Sequence, residues 1–404
     1  MTRTLRRIVA TTDVHSAFDS VAPLLAHLHA ARSEALVVDS GDFFEGSGYY
    51  RLGGGQVERE ILTTLYDVIA PGNHGWPHYF EPSLHRLTVC ANVVDDADGN
   101  ALFRRIHLAT IGGRRVAVTG VMGLQAFNAV PFADRAGHRV TDPVRALREL
   151  MLAHHHEVDS WVLLSHSGFA EDLKIAEACP FLDVILAGHC HSDQYGPVRV
   201  GDTLVLKGHE LAVGFALADV GVEGGGWSGR SVLLAPAAAA SPPGLKPILD
   251  EIEGLRQRLA APIGPVARAH RHRVPDRAEL VAEIVERLHT GLGAEAVVLN
   301  ETALRPVPLG TTLTRGDLLA TEPFDNQLVH VTLPDDQHQV DALLERLSTQ
   351  AGPLATAPAL LPPGTRSLLT TGYLADAYFG GHPTQAAVPL GRAVQHVLTE
   401  GGRP

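Results

Sequence analysis

Five short apolar runs each end in a side chain able to bind a metal ion, and this repeated coupling constrains the fold more than any other feature. IVATTDVH closes on Asp13 and His15, LVVDSGD on Asp42, VIAPGNH on Asn73 and His74, WVLLSH on His166, and VILAGHCH on His189 and His191. An apolar run of about 4–8 residues bounded by turn residues reads as a buried strand, and such runs suit a parallel sheet. Open parallel sheets gather ligands at the carboxyl ends of their strands. Aspartate, asparagine and histidine arriving from five strand ends can therefore converge on one small volume. The pattern predicts a metal site, with donors enough for two ions.

At 404 residues the chain exceeds one ordinary core, so two domains are expected. Its 45% apolar and 19% charged residues are those of a globular protein. A formal charge of -12 argues against a nucleic-acid polymer as partner, which needs clustered Lys and Arg, and against an anionic membrane. Cys90, Cys179 and Cys190 give an odd count and no disulfide framework, which fits a reducing compartment. The opening MTRTLRRIVATTD lacks the apolar segment of a secretory signal before the first ligand, so a cytoplasmic location is expected. No stretch approaches the ~18 consecutive apolar residues of a membrane helix. Oligomeric state is left open.

Short apolar runs alternate with helical patterns over the first 235 residues, which predicts a layered α/β architecture. One helix should follow the first ligand pair, capped by Asp19 or Ser20, with Pro23 in its first turn and Leu24, Leu25 and Leu28 facing inward. Another should run from Asp142 to His156, and RRVAVTGV and TLVLKG read as strands. VEGGGWSG and then APAAAASPPG mark a surface hairpin and an interdomain connection. ILDEIEGLRQRLA is helical in spacing. A second domain should open near Asp276, with Leu280, Ile284, Val285 and Leu288 as an apolar stripe.

The order DxH, GD, GNH, SH and GHxH resembles the calcineurin-like metallophosphoesterases. The C-terminal third extends the resemblance to the bacterial 5'-nucleotidases, over roughly residues 5–235 and 270–380. It implies an α/β fold: a layered β-sandwich flanked by helices, with a second, smaller α/β substrate domain. The implied boundaries are 1–235 for the catalytic domain, 236–267 for a partly helical linker and 268–404 for a shortened substrate-binding domain. Block by block, the resemblance gives Asp13, His15, Asp42 and His191 to one divalent ion. It gives Asp42, Asn73, His166 and His189 to the other, with Asp42 bridging. Two ions ~3.5–4 Å apart lower the pKa of a bridging water and neutralise the oxygens of an in-line displacement. Mixed imidazole and carboxylate ligands suit Mn, Zn, Fe or Co. Cys190, between two ligands in an extended segment, should point away and pack as a small side chain.

The same resemblance makes His74 the histidine that stabilises charge on the phosphoryl group or leaving oxygen. The family places a carboxylate three residues further on to orient this imidazole; here that residue is Pro77. Either Glu81 or a backbone carbonyl takes over, or the help to the leaving group is weakened. His78 reads as a surface residue. In the second domain, Asn300 and Arg305 have the spacing of residues that contact the nucleotide, and Phe324 matches an aromatic that stacks on the base. Core packing is the other reading of Phe324, and a surface ion pair that of Arg305. The family's Gly-Gly-Asp-Gly-aromatic loop is not intact, which leaves Tyr378 or Phe379 for the second half of the clamp. The implied activity is hydrolysis of a nucleoside 5'-monophosphate or related nucleotide by a bridging hydroxide. The alternatives are a cyclic-nucleotide phosphodiesterase, a nucleotide-sugar pyrophosphate hydrolase and a non-catalytic nucleotide-binding protein.

Overall fold

The computed structural model describes residues 3–221, 225–235, 242–379 and 386–399. The chain divides into two compact units, Met1–Leu255 and Arg256–Pro404. A helix, Lys246–Leu259, runs through this division where ILDEIEGLRQRLA has helical spacing. Of the connection expected at 236–267, residues 236–241 lie outside the described residues.

Two large sheets, with a two-stranded pair of Val93–Asp95 and His138–Val140, are described in the first unit. In spatial order, one holds Trp227–Leu233, Gly214–Val220, Arg7–Thr11, Ala35–Asp39 and Val68–Ile69. The other holds Val198–Val200, Thr203–Lys207, Val184–Ala187, Ser160–His166, Arg114–Met122 and His107–Ile111. Arg7–Thr11, Ala35–Asp39 and Val68–Ile69 are parallel, with Ile8 opposite Leu36 and Val38 opposite Val68. Arg114–Met122, Ser160–His166, Val184–Ala187 and Thr203–Lys207 are parallel as well.

Side-chain alternation along these strands decides what meets what. Ile8, Ala10, Leu36 and Val38 pack against Val116, Val118, Val162 and Leu164 between the sheets. The intervening residues Ala117, Leu163, Ile185 and Val205 face outward, onto Leu147 and Leu150 of the helix Pro143–His154 and Phe169 and Ile175 of the helix Phe169–Ala178. Strands covered on both faces must be apolar throughout, which is why they read as unbroken runs. The result is the layered sandwich with flanking helices that the sequence implied.

Helix starts follow local chemistry, with one correction. Asp142 caps Pro143–His154 by accepting from the Arg145 N–H at 2.7 Å. The first helix, Ala22–Ala31, starts after Val21 and has no side-chain cap, so neither Asp19 nor Ser20 serves. Asp19 instead accepts from the Tyr49 hydroxyl at 2.7 Å. Pro23 presets the first turn, and Leu24, Leu25 and Leu28 are buried as expected.

The second unit is built on a mixed sheet in the order Leu354–Ala357, Val297–Asn300, Ser367–Thr371, Gln327–Thr332, Ala386–Pro389. Its helix Arg277–Leu292 is capped by Asp276, which accepts from Glu279 N–H at 3.0 Å. Leu280, Ile284, Val285 and Leu288 of that helix pack on Val297, Leu299 and Leu369. The opposite sheet face, Val298, Val329 and Val331, is covered by Val340 of the helix Gln337–Ala351. Among the described residues, no helix is long and apolar enough to cross a membrane.

Asp172 shows what this packing does to a polar group. It is wholly buried on the helix Phe169–Ala178; one carboxyl oxygen accepts from Ser165 and the other has no partner. Burial pushes its carboxyl up to about 7, against the opposing Ser165 bond. The folded chain thus keeps a proton that the unfolded chain has already lost above its ordinary value of 3.8. Stability from this group falls as pH rises from there to about 7, then stays level. Asp172→Asn, neutral throughout, should gain in Tm over the native chain between pH 5 and 7.5 in thermal melts. A gap that does not change with pH contradicts this assignment.

Candidate metal centre

The loops that leave the strand ends adopt backbone conformations rarely taken by residues with side chains. φ is 49° at Asp13, 50° at His15, 56° at Asp42 and 74° at His189. Each such residue costs on the order of 1–2 kcal/mol, and strain of this kind gathers at functional sites. The loops hold one another in place. Asp13 N–H donates to Gly41 O at 2.9 Å, His15 N–H to Asp42 O at 3.0 Å and Ser16 N–H to Phe43 O at 3.0 Å. Gly72 of the GNH loop passes so close to Asp42 that a Cβ there would overlap its backbone nitrogen and carboxylate. Gly41, at φ 101°, faces the His166 ring in the same way.

Asp42 lies at the centre and is only 2% exposed. Its Oδ2 is 3.2 Å from His166 Nε2 and 3.8 Å from His15 Nε2, while Oδ1 accepts from the His74 N–H at 2.8 Å. His166 Nδ1 donates to the Ser40 carbonyl at 2.8 Å, which turns Nε2 toward Asp42, with Asn73 Oδ1 3.3 Å away. His15 Nε2 and His191 Nε2 face each other at 3.2 Å. The Asp13 carboxylate accepts from His189 N–H at 3.1 Å. Donor atoms come within 4.8 Å of one another in three groups: Asp13, His15 and His191; Asp42, His166 and His189; His15, Asp42 and His74. Asp13, His15, Asp42, Asn73 and His166 are buried, His189 is half-buried and His191 is exposed, so the site opens at His191.

The electrostatics fit a bound cation. Burial drives His15 down to about 3 and His189 to about 4, so both imidazoles keep a free lone pair. Burial lifts Asp13 to about 6, with Asp42 adding to the lift against His166. Burial disfavours charge at both members of the Asp42–His166 pair. Their mutual attraction overcomes it, raising His166 to about 9 and holding Asp42 far below the usual carboxylate range. Two inward carboxylates and opposed imidazole nitrogens form a pocket that draws in positive charge. Its nitrogen and oxygen donors suit Mn, Zn, Fe or Co.

His74 is held by Glu45: its Nδ1 lies 3.0 Å from Glu45 Oε2. Glu81, one of the candidate partners, instead binds His78 Nδ1 at 2.6 Å and Arg59 at 3.4 Å. Burial disfavours charge on His74, but the Glu45 bond and the nearby Asp42 outweigh it and raise its pKa. Cys190 points away from the ligands, and its sulfur accepts from Phe169 N–H at 3.1 Å. Lys207 lies beneath the same loop and is fully buried. Its ammonium donates to the carbonyls of Cys190 at 2.8 Å and Ser192 at 2.5 Å, pairs with Glu210 and sits 4.8 Å from the centre of the Tyr195 ring. One lysine thereby anchors the backbone on either side of His191.

In the second unit, the Arg305 guanidinium lies 4.9 Å from the centre of the Phe324 ring, and Phe324 is 44% exposed. Asn300 is buried, donating to Thr302 Oγ1 at 2.6 Å and Ala351 O at 3.4 Å, with Oδ1 unpartnered. Phe379 is half-buried against the cluster on the sheet face opposite Leu304, the neighbour of Arg305. With Leu343, Arg346 and Tyr378 it borders an open concavity of about 900 Å³. Arg305 and Phe324 are thus brought together, and Phe379 packs in separate surroundings.

Glu45 and Lys207 escaped the sequence reading. The signals were present: a second acid after the ligand Asp42 in the aromatic loop GDFFEG, and a lysine ending the apolar strand TLVLK.

Residues 6–193 match the family model of the calcineurin-like phosphoesterases, and the first unit carries a domain of that family. An uncharacterized metallophosphoesterase of Bacillus subtilis, YunD, is 29% identical over 203 residues, 46% of this chain and 43% of that one. The 5'-nucleotidase of Bos taurus is 25% identical over 225 residues, 46% of this chain and 38% of its own. The chain thus spans less than half the length of these relatives. Among solved structures, the 5'-nucleotidase precursor of Thermus thermophilus shares the fold over 98% of this chain and 96% of its own, with TM-score 0.72 and 19% identity. The 5'-nucleotidase of Candida albicans does so over 100% and 99%, with TM-score 0.73 and 14% identity.

Removing one partner of a buried ion pair costs about 3–5 kcal/mol. Lys207→Met should therefore lose about that much stability in urea denaturation, and a loss below about 1 kcal/mol would show that the clamp on the His191 loop is not energetically important.

Proposed function

We propose that the chain is a dinuclear-metal phosphomonoesterase that hydrolyses a nucleoside 5'-monophosphate or a related, modified nucleotide to nucleoside and phosphate. The observation that carries this reading is the gathering of donor side chains from five strand ends, with Asp42 buried among them. In this reading Asp13, His15, Asp42 and His191 hold one divalent ion, and Asp42, Asn73, His166 and His189 hold the other. Bound there, the ions would supply Lewis acidity toward the phosphoryl oxygens and an activated water nucleophile.

The chain's own side chains prepare that chemistry. The Ser40 carbonyl fixes the orientation of the His166 ring, so that its Nε2 faces Asp42. Thr12 Oγ1 and His189 N–H hold the Asp13 carboxylate by donating to it. His74 is placed to hydrogen-bond a phosphoryl or leaving-group oxygen, help worth on the order of 10²–10⁴ in rate. In the second unit, Arg305 offers a planar cation for anionic oxygens and Phe324 an exposed ring for a base. Asn300 supports this pair by bracing its loop through Thr302 and Ala351. The three free thiols support a cytoplasmic setting.

Metal-replete protein should release phosphate from at least one member of a nucleoside monophosphate panel, lose that activity to a chelator and regain it with Mn, Zn, Co or Fe. Asp42→Asn should lower turnover by more than the roughly 10–100-fold typical of a residue that only supports a ligand. Silence on every monophosphate with metals bound would defeat the proposal. Turnover of cyclic nucleotides or nucleotide sugars alone would redirect it to diester or pyrophosphate hydrolysis.

A further inference from the structure

The loop between Asp42 and Ser47 contains one charged residue besides its metal ligand, and that residue stands in an unfavourable backbone conformation. Glu45 has φ 62°, in the left-handed region where glycine is the ordinary occupant. The next residue, Gly46 at φ 89°, meets the need with a glycine, and a Cβ there would crowd the His15 side chain at 3.0–3.3 Å. Nothing in the turn itself calls for a glutamate.

What the glutamate does is reach His74. Its Oε2 lies 3.0 Å from His74 Nδ1, while the His74 backbone N–H is held separately by Asp42 at 2.8 Å. The ring stands edge-on to His15, with centroids 4.9 Å apart. With Nδ1 engaged, Nε2 is the free nitrogen of a ring whose rotation is fixed at both ends. Within His74's own loop, Pro77 offers no side-chain acceptor and Glu81 is bound to His78 and Arg59.

We propose that Glu45 is a positioning residue for His74, supplied from the Asp42 loop and retained despite its backbone cost because it fixes the imidazole over the metal-ligand cluster. The proposal rests on the hydrolase reading above. Were the contact only an ion pair about one-third exposed on both sides, it would contribute little.

Glu45→Gly separates the two. Glycine adopts the left-handed backbone freely, so the variant should keep or raise its Tm while kcat on a nucleoside monophosphate falls on the order of 10–100-fold at nearly constant KM. Glu45→Gln, which retains a hydrogen-bonding side chain, should fall less. His74→Ala and the Glu45→Gly/His74→Ala double variant should match within about twofold, because the glutamate acts only through the ring. Full multiplication of the two effects, or unchanged kcat in Glu45→Gly, overturns the proposal. If the native metal-replete protein hydrolyses no phosphomonoester, the functional reading fails by itself. The positioning claim is then decided by the ¹⁵N shifts of the His74 ring, identified by their loss in His74→Ala. A tautomer population that changes in Glu45→Gly sustains it, and an unchanged one overturns it.

Discussion

A carboxylate at 2% exposure sets the terms for the first unit. Asp42 sits where water cannot solvate it, and an isolated charge in that position would be prohibitive. Imidazoles from two other strand ends, His15 and His166, and the backbone N–H of His74 surround it. Each requirement of the fold around it follows. Strands must end at the same level, the loops must cross closely enough to demand glycine at 41 and 72, and ligand residues must accept left-handed backbone. The sandwich beneath, packed through Ile8, Leu36, Val118 and Leu164, is the platform that makes these demands tolerable.

Much of this was legible in order along the chain, because strands buried on both faces must be apolar and must stop where the polar ligands begin. The helix stripes were legible for a similar reason: Leu280, Ile284, Val285 and Leu288 share one face, and Asp276 has no stronger use than its cap. The start of the first helix was not. Asp19 is a good cap by local chemistry, but the Tyr49 hydroxyl claims it through space, and the helix begins without it.

What stayed hidden depends on pairs far apart in sequence. Glu45 and His74 are 29 residues apart, and no local window joins them. Lys207 looks like a strand end in sequence; its meaning appears only when the carbonyls of Cys190 and Ser192 arrive at its ammonium. Phe379 and Phe324 are alike in residue type, yet one packs on a helix-covered sheet face and the other stands exposed beneath Arg305. Residue type suggested a common role, and sheet-face parity separated their surroundings.

The left-handed backbone at Asp13, His15, Asp42 and His189 has a kinetic meaning. Because the awkward torsions are settled as the strands assemble, an incoming cation meets a finished cage rather than slack loops. A cation entering past His191 would then need little ordering of the chain around it.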